Sequence, residues 1–187
     1  MKDFERLHTA YKLKEIERKG TVAGKRYESA AEHIFSSLIL ARYFLKKIKG
    51  MNERRVMKML IYHDLVEIYA GDTFILDEKM TESKKAREQK SFNRLIKDLP
   101  SEISPEFRSS WKEFEQGKTK ESRFCKAVEE LDPIIHSMHK PAEWKKHGFT
   151  EQKLRSKKES KLKEFPAMLK LFNELIEYLK NKKTIPK

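Results

Sequence analysis

The sequence predicts an all-α fold, and three observations carry that expectation. Only 6 Gly and 6 Pro interrupt 187 residues. Apolar residues recur three and four apart along most of the chain, which is the period of a helix face and not the alternation of a strand. Helix start and stop signals stand where those stripes begin and end. One domain is expected over 1–187, with a C-terminal helical extension over about 150–187. That length buries a core without disulfide staples.

The elements follow in order. Phe4, Leu7, Tyr11 and Ile16 fall near one face of a helix over roughly 3–18, ending before Gly20. The run "SAAE" (29–32) opens a second helix with a capping box, Ser29 accepting from the backbone and Glu32 reaching back. That helix continues through Phe35, Leu38, Phe44 and Ile48 to Gly50. A third begins at Asn52, carries Val56, Met59, Leu60 and His63 on its core stripe, and ends at Gly71. An amphipathic helix is expected at about 81–98. Another starts at Ser104, as cap, with Pro105 in the first helical position. A helix over about 120–139 contains Pro133, which should kink it. Segments near 150–163 and 166–181 close the chain, the last with Leu169, Phe172, Ile176 and Leu179 on one stripe.

Composition narrows the function. With Cys125 as the single cysteine there is no internal disulfide, and the longest apolar run, "IFSSLILA" (34–41), is far below the ~20 residues of a membrane span. "MKDFERLHTAYK" carries early acids and no apolar stretch, so it does not read as a secretory signal, and a cytoplasmic setting without membrane contact is expected. A net charge of +13 and pI near 9.6 would suit nucleic-acid binding. The lysines, however, are interleaved with acids, as in "TESKKAREQK" (81–90) and "LRSKKESKLKE" (154–164), the pattern of solvated helix faces. That distribution argues against nucleic acid as the partner and is compatible with a surface that attracts small anionic substrates.

The chemistry concentrates in "YHDLVEIYAGDTF" (62–74), where His63, Asp64, Glu67 and Asp72 stand in an apolar run. Buried carboxylates cost several kcal/mol unless paired, so something must neutralise them. On a helix His63 and Glu67 share a face, and Asp64 lies about 100° round. His33, one turn into the second helix, should also point inward. Glu129 and Asp132, three apart among Val128, Leu131 and Ile134, offer a further carboxylate from the helix over 120–139. Imidazoles and carboxylates around an open position suit Mn²⁺, Fe²⁺, Co²⁺, Ni²⁺ or Zn²⁺ better than Ca²⁺ and point to a mononuclear hydrolytic centre. A hydrogen-bonded core histidine is the plainer alternative for His33; His8, His136, His139 and His147 read as structural or exposed, although His136 and His139, one turn apart, could fall near the cleft.

His33, the His63-Asp64 pair and a later helical acid resemble the H…HD…D signature of the HD-domain metal-dependent phosphohydrolases. "RKGTVAGKRYESAAEH" (18–33), "HDLVEIYAGDT" (63–73), "FCKAVEELDPIIH" (124–136) and "EWKKHGFT" (143–150) resemble, in order and spacing, the branch that contains the bacterial 5′-deoxynucleotidases. The resemblance implies an HD-domain helical bundle that hydrolyses nucleoside 5′-monophosphates with one divalent metal ion (Mn²⁺, Co²⁺, Mg²⁺, Fe²⁺, Ni²⁺ or Zn²⁺), commonly as a homodimer. It implies His33, His63, Asp64 and Glu129 as metal ligands and Glu67 as catalytic carboxylate. Asp72 falls in the catalytic and substrate pocket, and Arg18 becomes a phosphate contact. Two departures stand out: the family pattern has aspartate where this chain has Glu129, leaving Asp132 as the alternative ligand, and no tryptophan follows Lys19. Another phosphoester substrate, such as a cyclic nucleotide or pyrophosphate, and a non-catalytic regulatory module are the competing readings. For a dimer, the late apolar helices would supply the interface.

Overall fold

A computed structural model describes residues 2–22, 26–74 and 77–185. Eleven helices are seen among them, with one small hairpin. α1 (Asp3–Tyr11) runs into a 3₁₀ turn at Lys12–Glu15, followed by β1 (Glu17–Val22) and β2 (Arg26–Ser29). α2 (Ala30–Leu45), α3 (Glu53–Tyr62), α4 (Glu67–Ala70), α5 (Glu78–Asp98) and α6 (Ser104–Gln116) come next. α7 (Lys120–Ser137), α8 (Pro141–Lys146), α9 (Glu151–Leu154), a π-helical turn at Arg155–Glu159, α10 (Ser160–Leu162) and α11 (Pro166–Asn181) complete the chain.

The fold is all-α as expected, but the first helix stops at Tyr11 and Glu17–Val22 becomes a strand. β1 pairs antiparallel with β2, Glu17 opposite Ser29 and Thr21 opposite Tyr27, so four steps along β1 face two along β2. The surplus residues form a bulge containing Arg18; bulges re-aim side chains. Residues 23–25 of the quoted 18–33 run lie outside the described residues. Phe4, Leu7 and Tyr11 are exposed. α1 is held instead through Arg6, which donates to the carbonyls of Lys97 at 2.6 Å and Leu99 at 3.2 Å.

The capping box of α2 forms as expected: Ser29 Oγ accepts from Glu32 N and the Glu32 carboxylate accepts from Ser29 N at 2.9 Å. The third helix breaks at His63, its C-terminal cap, and resumes at Glu67 as α4. Ser104 is not a cap: Ile103 holds that position and Ser104 Oγ donates to the Ile96 carbonyl at 2.8 Å. α8 falls in a stretch without an expected helix.

The core has two parts that meet along α2 and α3. One gathers Phe44, Met59, Leu60, Phe124, Leu131, Phe165, Phe172 and Ile176, joining α2, α3, α7 and α11. The other gathers Ile34, Tyr62, Val66, Phe92, Leu95, Phe107 and Trp111, joining the start of α2 to α5 and α6. Phe172, Ile176 and Leu179 are fully buried in the chain's own core, so the stripe of α11 is spent internally. The exposed apolar row lies instead on α2, at Phe35, Ile39 and Tyr43.

Candidate metal centre and active site

The seam between the two core halves brings four predicted residues together. His33 from α2, His63 and Asp64 from the turn after α3, and Glu129 from α7 each present one ligand atom, all within 4.8 Å of one another. Both histidines are buried, at 0% and 3% exposure.

Each imidazole is fixed from behind. His33 Nδ1 lies 2.7 Å from Asp132 Oδ2, and His63 Nδ1 lies 2.9 Å from the Leu60 carbonyl, which can only accept. With Nδ1 donating in both rings, the Nε2 atoms face Glu129 Oε2 at 2.8 Å and 3.2 Å. The 3.2 Å approach lacks hydrogen-bond alignment, and His63 Nε2 is a buried polar atom with no partner. Such atoms are rare unless an ion or water completes them. Burial pushes both imidazoles down, yet Glu129 and, for His63, Asp64 hold them above their ordinary pKa, His33 well above. Burial pushes Glu129 up, but the two imidazoles hold it well below the usual carboxylate range. This is a site whose carboxylates demand positive charge, and a divalent cation with imidazole and carboxylate ligands meets that demand. The residues therefore fit a metal ion.

Asp132 sits behind His33, on the ring nitrogen turned away from the cluster, so it does not take the ligand position in place of Glu129. It orients the imidazole, a role that carboxylates commonly play beside metal-binding histidines. Sequence spacing alone cannot separate these two acids, because one turn of α7 decides which faces the cluster.

Glu67 opens α4 at 3% exposure, with Oε2 buried and unpartnered. Burial, then Asp64 and Asp72, raise its pKa well above that of an ordinary glutamate, against the pull of Arg18 and Lys84. Gly71 follows at φ 72°, a left-handed conformation that favours glycine, and turns the chain so that Asp72 reaches Arg18. Arg18 Nη1 lies 3.4 Å from Asp64 and 3.5 Å from Asp72, and its Nε lies 3.5 Å from Glu28. Burial lowers the Arg18 pKa, but the carboxylates of Asp64, Glu67, Asp72 and Glu129 more than reverse this. Arg18 is thus a pocket residue on a strand bulge, not a solvated helix end.

The cluster opens into a cavity of about 460 Å³. His136 and His147, expected to be structural or exposed, both line it. His136 Nδ1 lies 3.1 Å from Glu28, and the His147 ring centroid lies 4.8 Å from that of Phe74. Where the tryptophan is missing, His136 fills the space: a Cβ on Gly20 would come within 3.0 Å of its Nε2. Lys84 and the lysines of the 157–161 segment line the cavity as well. Their mixed-charge runs carried no signal that they face inward.

A helical bundle with a buried imidazole and carboxylate cluster at its central seam is the architecture of a metal-centred hydrolase fold. The HD domain family matches residues 10–169, and the chain belongs to it. The chain is 29% identical to a predicted metal-dependent phosphohydrolase from Magnetospirillum magnetotacticum MS-1, whose crystal structure superposes with TM-score 0.83 over 98% of this chain and 94% of that one. The PH0347 protein of Pyrococcus horikoshii OT3, 20% identical with TM-score 0.70 over 94% of this chain and 99% of that one, shares the fold. Among curated proteins, 5′-deoxynucleotidase HDDC2 of Bos taurus is 26% identical over 127 residues, and that of Homo sapiens 26% over 137. These matches cover 67% and 69% of this chain but 61% and 66% of the relatives, so the chain spans under two thirds of their length.

Proposed function

We propose that the protein is a metal-dependent phosphohydrolase that converts nucleoside 5′-monophosphates, deoxynucleotides above all, to nucleoside and phosphate. One observation carries this reading. Four metal-competent atoms lie within 4.8 Å of one another, and two of their residues, Asp64 and Glu129, line a cavity together with a buried, unpartnered glutamate of raised pKa and an arginine. The names of the relatives supply the substrate class.

In this reading His33, His63, Asp64 and Glu129 hold one divalent ion, which when bound supplies Lewis-acid polarisation and a more acidic water. Arg18 contacts the phosphate and is itself held by Asp72. Glu67, whose pKa is raised by burial and then by Asp64 and Asp72, hands a proton to the departing 5′-oxygen. A small anionic substrate in a cavity agrees with the scattered lysines better than nucleic acid does.

The homodimer belongs to the same reading, but its surface is the α2 row of Phe35, Ile39 and Tyr43, since the α11 stripe is buried. A monomer mass in sedimentation at micromolar concentration would dismiss it. A cytoplasmic setting rests on the single buried Cys125 and on the described residues containing no helix long and apolar enough to cross a membrane.

The deciding experiment strips the protein of metal, returns Mn²⁺, Co²⁺, Mg²⁺, Fe²⁺, Ni²⁺ or Zn²⁺ singly, and measures phosphate release from deoxy- and ribonucleoside 5′-monophosphates. Metal-dependent release favouring the deoxy series supports the proposal; silence with every metal overturns it.

A further inference from the structure

The wall of the cavity formed by the α9–α10 segment and by Glu130 of α7 has a charge arrangement that phosphomonoester hydrolysis does not use. Glu130 follows the candidate ligand Glu129 and lines the same cavity. It is 7% exposed and takes two ammonium groups, Lys158 Nζ at 2.9 Å from Oε2 and Lys161 at Oε1. Lys158 is itself only 6% exposed. Glu130 balances the charge of buried Lys158, which leaves the charge of half-exposed Lys161 in excess at the cavity wall. Lys157, also lining the cavity, has no carboxylate within 4.0 Å among the described residues.

A wall with more cations than carboxylates projects positive potential into the cavity and favours an anion there. The backbone is special at the same place: Arg155–Glu159 is π-helical, a rare form found often at functional sites. Lys84 faces the cavity from α5 and pairs with Glu88 at 3.5 Å. Lys126 is pushed below its ordinary pKa by burial and, against the pull of Glu115, by Lys161 and Lys84.

We infer that this lysine wall is a second anion subsite, and that the substrate is a nucleotide bearing a second phosphate besides the 5′-phosphate released at the metal cluster. The inference rests on the phosphohydrolase reading above. In the reaction, the oxygen of water bonds to the 5′-phosphorus and the P–O5′ bond breaks. The leaving oxygen takes the proton of Glu67, one proton of the attacking water restores Glu67, the other stays on the phosphorus-bound oxygen, and inorganic phosphate departs. The second phosphate stays on the product, a nucleoside 3′-phosphate when the substrate is a 3′,5′-bisphosphate.

The test compares deoxyadenosine 3′,5′-bisphosphate with deoxyadenosine 5′-monophosphate on the metal-loaded protein and on Lys157→Ala/Lys161→Ala. Both lysines are exposed, so the fold should survive, and buried Lys158 is left in place. The wild type is expected to prefer the bisphosphate in kcat/KM by about tenfold, equivalent to ~1.4 kcal/mol, with the ratio falling to about one in the double variant. No preference in the wild type, or a preference that survives the double substitution, overturns the subsite. Calorimetric titration of both nucleotides into Mn²⁺-loaded Glu67→Gln separates this from failure of the hydrolytic reading. Tighter bisphosphate binding that depends on Lys157 and Lys161 retains the subsite even if nothing is hydrolysed, and equal binding removes it.

Discussion

His63 is committed by its own helix: Nδ1 is tied to the Leu60 carbonyl at 2.9 Å, and Nε2 is left buried without a partner. Glu67 shares that condition on Oε2. In the proposed reaction the two orphaned atoms divide the work, one suited to a cation and the other to a proton. Glu67→Gln, which keeps the shape and removes the acid, should lower kcat by about 10²- to 10⁴-fold while metal content by mass spectrometry stays stoichiometric. Near-normal turnover would remove Glu67 from proton transfer. Asp132 acts one step further back, through His33 Nδ1 at 2.7 Å. Asp132→Ala should weaken metal affinity roughly 10- to 100-fold by competition with a chromophoric chelator. Undiminished affinity would show that the packing of α2 alone orients the ring. At this scale the sequence was informative where adjacency carries meaning, as in His63-Asp64. It was silent where the meaning depends on the mutual rotation of α2 and α7, which decides that Glu129 faces the cluster and Asp132 the back of an imidazole.

α2 holds its atom of the cluster in place because a local device starts the helix close to the site. α2 begins at Ser29 and reaches His33 within one turn, so any fraying at the cap would displace a ligand. Glu32 is held at a pKa of about 2, chiefly by Arg26 and then by Ser29, so the box is charged at neutral pH. Ser29→Ala should cost about 1 kcal/mol in denaturant unfolding, since the Glu32 N–H loses its acceptor. A change below ~0.3 kcal/mol would show that tertiary contacts fix the start of α2 without the cap. Such caps, with the apolar spacing, made most helices legible, because both are written in adjacent residues. The β1–β2 pair was not legible: Glu17–Val22 reads "ERKGTV", with no apolar alternation, and its pairing partner is a separate segment, Arg26–Ser29. The break at His63 was likewise hidden, because His63-Glu67 spacing is helical whether or not the backbone stays regular.

Across the whole molecule, the proposed metal centre lies where two core halves meet, and its residues come from elements that each half holds. α2 and α3 contribute to both halves, while α7 belongs to the half that α11 completes. The inward charge of the lysine segment could not be seen in a chain of net charge +13, where a lysine facing a cavity and one facing water have the same neighbours in sequence. This placement makes the ion a link between the halves and ties its occupancy to global stability. The unfolded chain scatters His33, His63-Asp64 and Glu129 over nearly a hundred residues and cannot bind comparably, so binding to the folded state stabilises it by RT ln(1 + [L]/Kd). At a hundredfold excess over Kd this is about 2.7 kcal/mol. For a domain of this size each kcal/mol shifts Tm by about 2–4 °C, so Mn²⁺ at that concentration should raise Tm by roughly 5–10 °C over chelator-treated protein. His63→Ala should abolish the increment. An equal rise in that variant would place the binding elsewhere, and no rise in the wild type would mean that two protonated imidazoles, not an ion, balance the buried carboxylates.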